Sequence, residues 1–260
     1  MADVIWRLVS GPGPVVATAI HDGHAVRPEI AQRLALGEGD RLREEDPFTG
    51  RWTTAAPARI VALRSRFEVD LNRPRENAVY RGPQDAWGLR VWRCPLPQSA
   101  AAGSLAEYDG FYAMLRALYT RKLRRHKRLV VLDLHSYNHR RGGPDAPPAD
   151  PAGNPQVNVG TGTMVRERWS PLVDRFMGDM AAFAFPGGRL DVRENVKFQG
   201  GHLARWTHEN FARSICVLSV EFKKFFMDEW TGIPDKSMIA AVGKALRAAV
   251  PGLLTELRRS

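Results

Sequence analysis

The nine residues Arg128-Leu-Val-Val-Leu-Asp-Leu-His-Ser136 constrain this chain more than any other stretch. Leu129 to Leu132 is an unbroken apolar run with two β-branched members. The basic cluster Arg124, Arg125, His126, Lys127 and Arg128 precedes it, so the stretch reads as a buried strand leaving a helix and a turn. Polar residues begin where that strand should emerge. In open α/β sheets the carboxyl ends of strands collect ligand-binding and catalytic groups, because loops there converge on a crevice. His135 at such an edge is a candidate metal ligand. Asp133, two residues earlier on the same face, and Ser136 are candidates to orient it or its neighbours. The plain alternative is a core histidine capped by a serine.

A chain of 260 residues with 44% hydrophobic and 25% charged residues has ordinary globular composition, enough for one large α/β domain over 1–260. The formal charge of +10, from 38 Lys and Arg against 28 Asp and Glu, admits acidic partners. The basic residues are dispersed, and the densest group, Arg121 to Arg128, complements a helix C-terminus, so nucleic acid is not the expected partner. Cys94 and Cys216 are too few for a disulfide scaffold or a four-cysteine zinc site and fit a reducing cytoplasm. No apolar run approaches the ~18 residues of a membrane span, and no secretory leader opens the chain, so the expectation is a cytoplasmic protein.

In chain order, Val4 to Val9 reads as a strand, followed by a Gly-Pro-Gly-Pro turn at 11–14. Val15 to Ile20 is a second strand, delivering His21 and His24 at its carboxyl end. Gly23 lets the chain turn away, and Pro28 opens a short helix. His21 is the better ligand of the two, since their spacing is not that of a helical zinc pair. The segment Arg41 to Thr49 reads as an acidic loop. A divalent cation needs an anionic ligand, and Asp46 or Glu45 is the candidate. Arg59 to Leu63 forms another strand, and Ser65 to Pro74 is a run that stops in Asp70, Asn72 and Arg73. Arg73 and Asn72 are candidates to hold a substrate carboxylate.

Ala19-Ile-His21-Asp-Gly23, the acidic segment ending in Asp46, Val69-Asp-Leu-Asn-Arg-Pro74, Asp133-Leu-His-Ser136 and Val220-Glu221, in this order, resemble the N-formylglutamate amidohydrolase family, itself similar to the zinc carboxypeptidases. The resemblance spans residues 19–227. It implies a single α/β domain, with a mixed, mostly parallel central sheet flanked by helices in the zinc-carboxypeptidase manner. It implies one Zn2+ per chain held by His21, a carboxylate and His135, with Glu221 as general base and Arg73 and Asn72 facing the substrate. Position 24 is His where the zinc carboxypeptidases carry the Glu of their His-x-x-Glu pair, so the second ligand comes from elsewhere, Asp46 or Glu45.

Ser104-Leu-Ala-Glu107 has capping-box form and opens an amphipathic helix whose stripe, Tyr108, Phe111, Met114, Leu115, Leu118 and Tyr119, is core. Residues 137–155 form a loop after His135, where Arg140 and Arg141 would attract an acidic substrate. Gln156 to Gly160 returns to the sheet, a helix runs from Pro171 to Phe183, and a short strand lies near Leu190 to Val192. Lys197 to His202 is a tight turn before a helix over 203–211, where His202 and Arg205 are secondary substrate-binding candidates. Ile215 to Val220 is a strand ending in Glu221, a carboxylate costly to leave unpaired at the end of a buried run. Beside bound zinc, Glu221 serves as acid and base; Lys223 is its one plausible local ion-pair partner. A helix over 235–257 finishes the domain.

The expected activity is zinc-dependent hydrolysis of a small acidic N-acyl amino acid, such as N-formylglutamate, to formate and glutamate. Arg73 either holds the substrate carboxylate or stabilises the oxyanion. A metallopeptidase on a peptide-like substrate and a noncatalytic binder of acidic ligands are the alternatives.

Overall fold

The computed structural model describes residues 5–259. Seven strands, β1 (Trp6–Ser10), β2 (Val15–Ala19), β3 (Ala58–Ala62), β4 (Leu129–Tyr137), β5 (Val157–Gly160), β6 (Val192–Glu194) and β7 (Ile215–Lys223), form one sheet in the order β1-β3-β2-β4-β7-β5-β6. Strands β3, β2, β4 and β7 run parallel, while β1 and β5 pair antiparallel to β3 and β7. The expected mixed, mostly parallel sheet is therefore present. Val4, the first residue of the expected opening strand, lies outside the described residues.

Helices α1 (Pro28–Ala31), α2 (Glu38–Glu44), α3 (Thr49–Trp52), α4 (Gln98–Leu123), α5 (Arg166–Ala182), α6 (His202–Phe211) and α7 (Lys236–Arg259) surround the sheet. Alternate residues of the central strands feed two cores, as a parallel sheet covered on both faces requires. Val130, Leu132, Leu134, Leu218 and Val220 pack with Trp52 of α3, Phe176 of α5 and Leu246 of α7. Val131, Ile215 and Val217 pack on the opposite face with Phe111 and Leu115 of α4 and Leu203 of α6. Helix α7 is long and apolar enough to cross a membrane, but Ile239, Val242, Leu246 and Leu253 are buried in the first of these cores.

Three local expectations are corrected. The acidic segment 41–49 is not a loop throughout, because α2 runs to Glu44 and α3 begins at Thr49. Helix α4 starts at Gln98, after Pro97 and through an alanine-rich turn of good helix formers, so Ser104 and Glu107 lie inside it. There Ser104 Oγ accepts from Arg27 Nη2 at 2.7 Å, and Glu107 takes Arg64 through two hydrogen bonds of 2.8 and 2.7 Å in place of a cap. The run 65–74 is a series of turns. Glu68 N and Val69 N both reach Ser65 O, and Arg73 N reaches Asp70 O. Phe67, Val69 and Leu71 are buried at strand-like spacing, but Glu68 and Asp70 between them are buried too, each neutralised by arginine.

Candidate metal centre and its cavity

His21 follows the end of β2, and His135 lies near the end of β4, its neighbour in the sheet. Asp46 lies between α2 and α3, with its amide donating to His21 O at 3.0 Å, which fixes it against the strand end. One ligand atom from each of the three side chains falls within 4.8 Å of the others, and all three residues are buried. Asp46 Oδ2 is 3.3 Å from His21 Nδ1 and 3.0 Å from His135 Nδ1. The outer nitrogens face carboxylates. His21 Nε2 donates to Asp70 Oδ1 at 2.7 Å, and His135 Nε2 is 3.0 Å from Asp133 Oδ2 without the alignment of a hydrogen bond. Asp133 is itself held by Thr18 Oγ1 at 2.7 Å, and Ser136 Oγ donates to Asp46 Oδ1 at 3.2 Å.

This arrangement fits a divalent cation on the donors' own chemistry. Two imidazoles turn Nδ1 toward one carboxylate, His21 Nδ1 has no hydrogen-bond partner although buried, and carboxylates stand behind both rings. The electrostatics agree. Burial raises the Asp46 carboxyl, but the flanking His135 and His21 imidazoles outweigh it and hold Asp46 well below the usual carboxylate range. Burial lowers His135, yet Asp133, Glu221 and Asp46 around it raise it well above the usual histidine value. The pocket thus favours positive charge between its carboxylates.

Glu221 is the β7 residue opposite His135 in the parallel register. It lines the same cavity of about 350 Å3 as His21, Asp46 and His135. Burial, reinforced by Asp46 and Asp133 against His135 and His21, pushes its pKa up to about 7. Lys223, the local partner that would have made Glu221 a simple ion pair, instead donates to Asn154 O at 3.0 Å. A more open depression of about 900 Å3 shares only Lys224 with this cavity and contains none of the ligand set.

The remaining candidates separate. Glu45 turns the opposite way from Asp46, into hydrogen bonds with His24 Nδ1 and Ser65 Oγ. It is not among the grouped ligands, because adjacent residues leave this turn in different directions. Asn72 lines the cavity, with its Oδ1 accepting from Leu203 N at 3.0 Å at the start of α6. Arg73 is absent from the cavity lining; its Nη2 donates to Asp85 O at 2.8 Å. His202 stands among aromatic rings, with Nε2 3.0 Å from Tyr108 Oη, and Arg205 lines a separate surface hollow with His208 and Glu209. Neither His202 nor Arg205 lines the cavity. Arg141 does, but Arg140 turns toward Asp228 and the carbonyl of Ala146.

Arg66 lines the cavity and was not singled out from the sequence. Its signal was present: Arg66 and Asp70 are four residues apart, the spacing of an ion pair across one helical turn. The strand-like alternation of Phe67, Val69 and Leu71 concealed it.

An α/β sheet with two histidines and an aspartate at the carboxyl edge of adjacent parallel strands, and a glutamate in register beside one of them, is a donor set that could hold a metal ion next to a carboxylate. Residues 13–227 match the family model described as N-formylglutamate amidohydrolase, and the chain belongs to that family. It is similar to the crystal structure of N-formylglutamate amidohydrolase from Ralstonia eutropha JMP134, with a TM-score of 0.76 and 17% identity over 98% of this chain and 99% of that one. A gene product of Agrobacterium tumefaciens aligns with a TM-score of 0.68 and 14% identity over 97% of this chain and 96% of its own. No curated protein matches the sequence significantly.

Proposed function

We propose that the chain is a zinc-dependent amidohydrolase acting on a small N-acyl amino acid such as N-formylglutamate. The observation that carries this reading is the buried group of His21, Asp46 and His135, opening on one cavity with Glu221 opposite His135 in the sheet register. Those three side chains would hold one ion per chain. When bound, zinc supplies Lewis acidity and a water of lowered pKa, near ~7. Glu221 is placed to accept a proton from the attacking water and to hand it to the amide nitrogen as the C–N bond breaks. Water's oxygen ends in the carboxylate, formate for an N-formyl substrate, and its protons end on the amine. Asp70 and Asp133 keep the two imidazoles oriented throughout.

A cavity of about 350 Å3 lies at the small end of ligand pockets and supports a small N-acyl amino acid over an extended peptide. Arg66, Arg141 and Lys197 among its lining residues suit an acidic substrate. Two unpaired cysteines, exposed Cys94 and buried Cys216, support a reducing, cytoplasmic setting.

The test is elemental analysis of the purified protein followed by formate release from N-formylglutamate with and without a chelator. One zinc per chain with chelator-sensitive release is expected. Zinc without release rejects the substrate and keeps the metal site; failure to take up zinc rejects both.

A further inference from the structure

Resting on the metal-centre reading of this cavity, we propose that Lys224 is a positioning residue: from the end of β7 it holds the peptide bond that precedes Asp46, and so keeps that carboxylate between the two histidines. Lys224 follows the last residue of β7 and is 2% exposed. Lysine is almost never fully buried unless its ammonium is paired, usually with a carboxylate. Here the partners are backbone carbonyls. Lys224 Nζ donates to Arg43 O at 2.5 Å and to Glu45 O at 2.8 Å. Glu44 and Glu229, the neighbouring carboxylates outside the ligand set, are engaged elsewhere. Glu44 pairs with Arg43 and Arg141, and Glu229 accepts from the amides of His139 and Arg140.

The two carbonyls lie at the end of α2, where a helix leaves its last acceptors without intrahelical donors and where the chain turns extended at Glu45, ψ 175°. With seven residues, α2 is too short to be stable alone, so its end stays where outside groups hold it. The peptide between Glu45 and Asp46 is held at both ends. Its carbonyl takes Lys224 Nζ, and its amide donates to His21 O at 3.0 Å. Because a peptide is planar, fixing both ends sets the direction in which the next Cα sends its side chain. That side chain is the carboxylate facing His21 and His135. The backbone amide of Lys224 donates to Tyr137 O at 3.0 Å, two residues past His135. A residue three places beyond Glu221 is therefore tied both to the strand of His135 and to the peptide of Asp46.

Positioning and plain charge predict opposite signs. The ammonium and the Asp46 carboxylate attract each other, and a cation so placed repels a divalent ion in the same site. Were charge its only effect, removing Lys224 would tighten metal binding. Loss of positioning weakens it, by the roughly 10–100-fold that follows removal of groups orienting a metal ligand.

The experiment uses the full chain with two readouts that do not depend on turnover: zinc Kd by competition with a chromophoric chelator, and visible absorption of the Co2+-substituted protein, which reports ligand geometry. Lys224→Met keeps the length of the side chain and removes its donors. Zinc affinity falls about 10–100-fold and the Co2+ spectrum changes. Lys224→Ala behaves alike. Propylammonium, which supplies the missing stem and its N–H donors, restores part of the affinity, while tetramethylammonium, a cation without N–H groups, does not. Leu246→Ala, a fully buried control away from the site, unfolds more readily yet binds zinc as the wild type does.

Wild-type zinc affinity and Co2+ spectrum in Lys224→Met would overturn the proposal, and tighter binding would overturn it in favour of a charge effect. An equal loss in Leu246→Ala, or rescue by tetramethylammonium as good as by propylammonium, would do the same. If Lys224→Met does not fold, Lys224→Ala folded with propylammonium carries the test, and zinc affinity unchanged after the amine is dialysed away overturns the proposal. Weakened zinc binding in Lys224→Met, with a wild type that hydrolyses no N-acyl amino acid, removes the amidohydrolase reading and leaves the role of Lys224 standing. A wild type that takes up no zinc overturns both.

Discussion

Asp46 and Glu45 are neighbours of the same chemical type, and their side chains serve different ends. Asp46 faces two histidines, and Glu45 takes His24 and Ser65. Replacing Asp46 by Ala would leave two imidazoles without an anion between them, so zinc content should fall to a small fraction of one per chain, measured by elemental analysis. Glu221→Gln keeps the shape and removes the proposed base; the expected result is a fall in kcat of about 100-fold or more with zinc retained. Single-turnover formate release checks it. His208 gives a prediction in pH. Its Nε2 accepts from Val217 N at 3.1 Å and Nδ1 lies 3.0 Å from Thr163 Oγ1, and burial depresses its pKa to about 4 from 6.5. Below pH 6.5 the unfolded chain takes up a proton that the folded chain refuses, so this contribution to stability is lost as pH falls from 6.5 toward about 4. In urea titrations across that range, the difference between wild type and His208→Gln should shrink as the pH drops.

At the scale of elements, the site depends on how α6 is seated. Asn72 Oδ1 accepts from Leu203 N, and Asn72 O accepts from His202 N at 3.4 Å, so the turn after Asp70 holds the first turn of that helix. Gly201 permits the approach: a Cβ there would fall 2.2 Å from Asn72 Nδ2. Gly201→Ala should therefore displace Asn72, cost about 1–3 kcal/mol in chemical denaturation, and leave zinc content intact. The turn at 197–202 was visible in the sequence; what it packs against was not. The same turn shows why local pattern failed over 65–74. Alternating Phe67, Val69 and Leu71 imitate a strand, whereas the buried polar residues between them are stabilised by Arg27 and Arg66, of which Arg27 lies 41 residues from Glu68.

For the whole molecule, the candidate site joins β2, β4, β7 and the segment between α2 and α3, so a bound ion would bind the folded chain and not the unfolded one. Saturating zinc at about 1,000 times its Kd should add about 4 kcal/mol to stability. Calorimetric melting with and without chelator measures this, and His135→Ala should abolish the difference. Away from the site, Leu246→Ala in α7 removes a fully buried side chain from the larger core and should cost about 2–5 kcal/mol without changing zinc stoichiometry.

The strands that carry His21, His135 and Glu221 were legible from the chain itself, because a run of apolar residues and the polar residue that ends it are local properties. The mixed sheet was implied by the family resemblance. Only the tertiary structure turned Asp46, and not Glu45, toward the two histidines, brought Arg66 to the cavity and set Arg73, His202 and Arg205 outside its lining. Those choices rest on side-chain directions and on partners far away in sequence, such as Asp46 with His135 across 89 positions, which no local periodicity encodes.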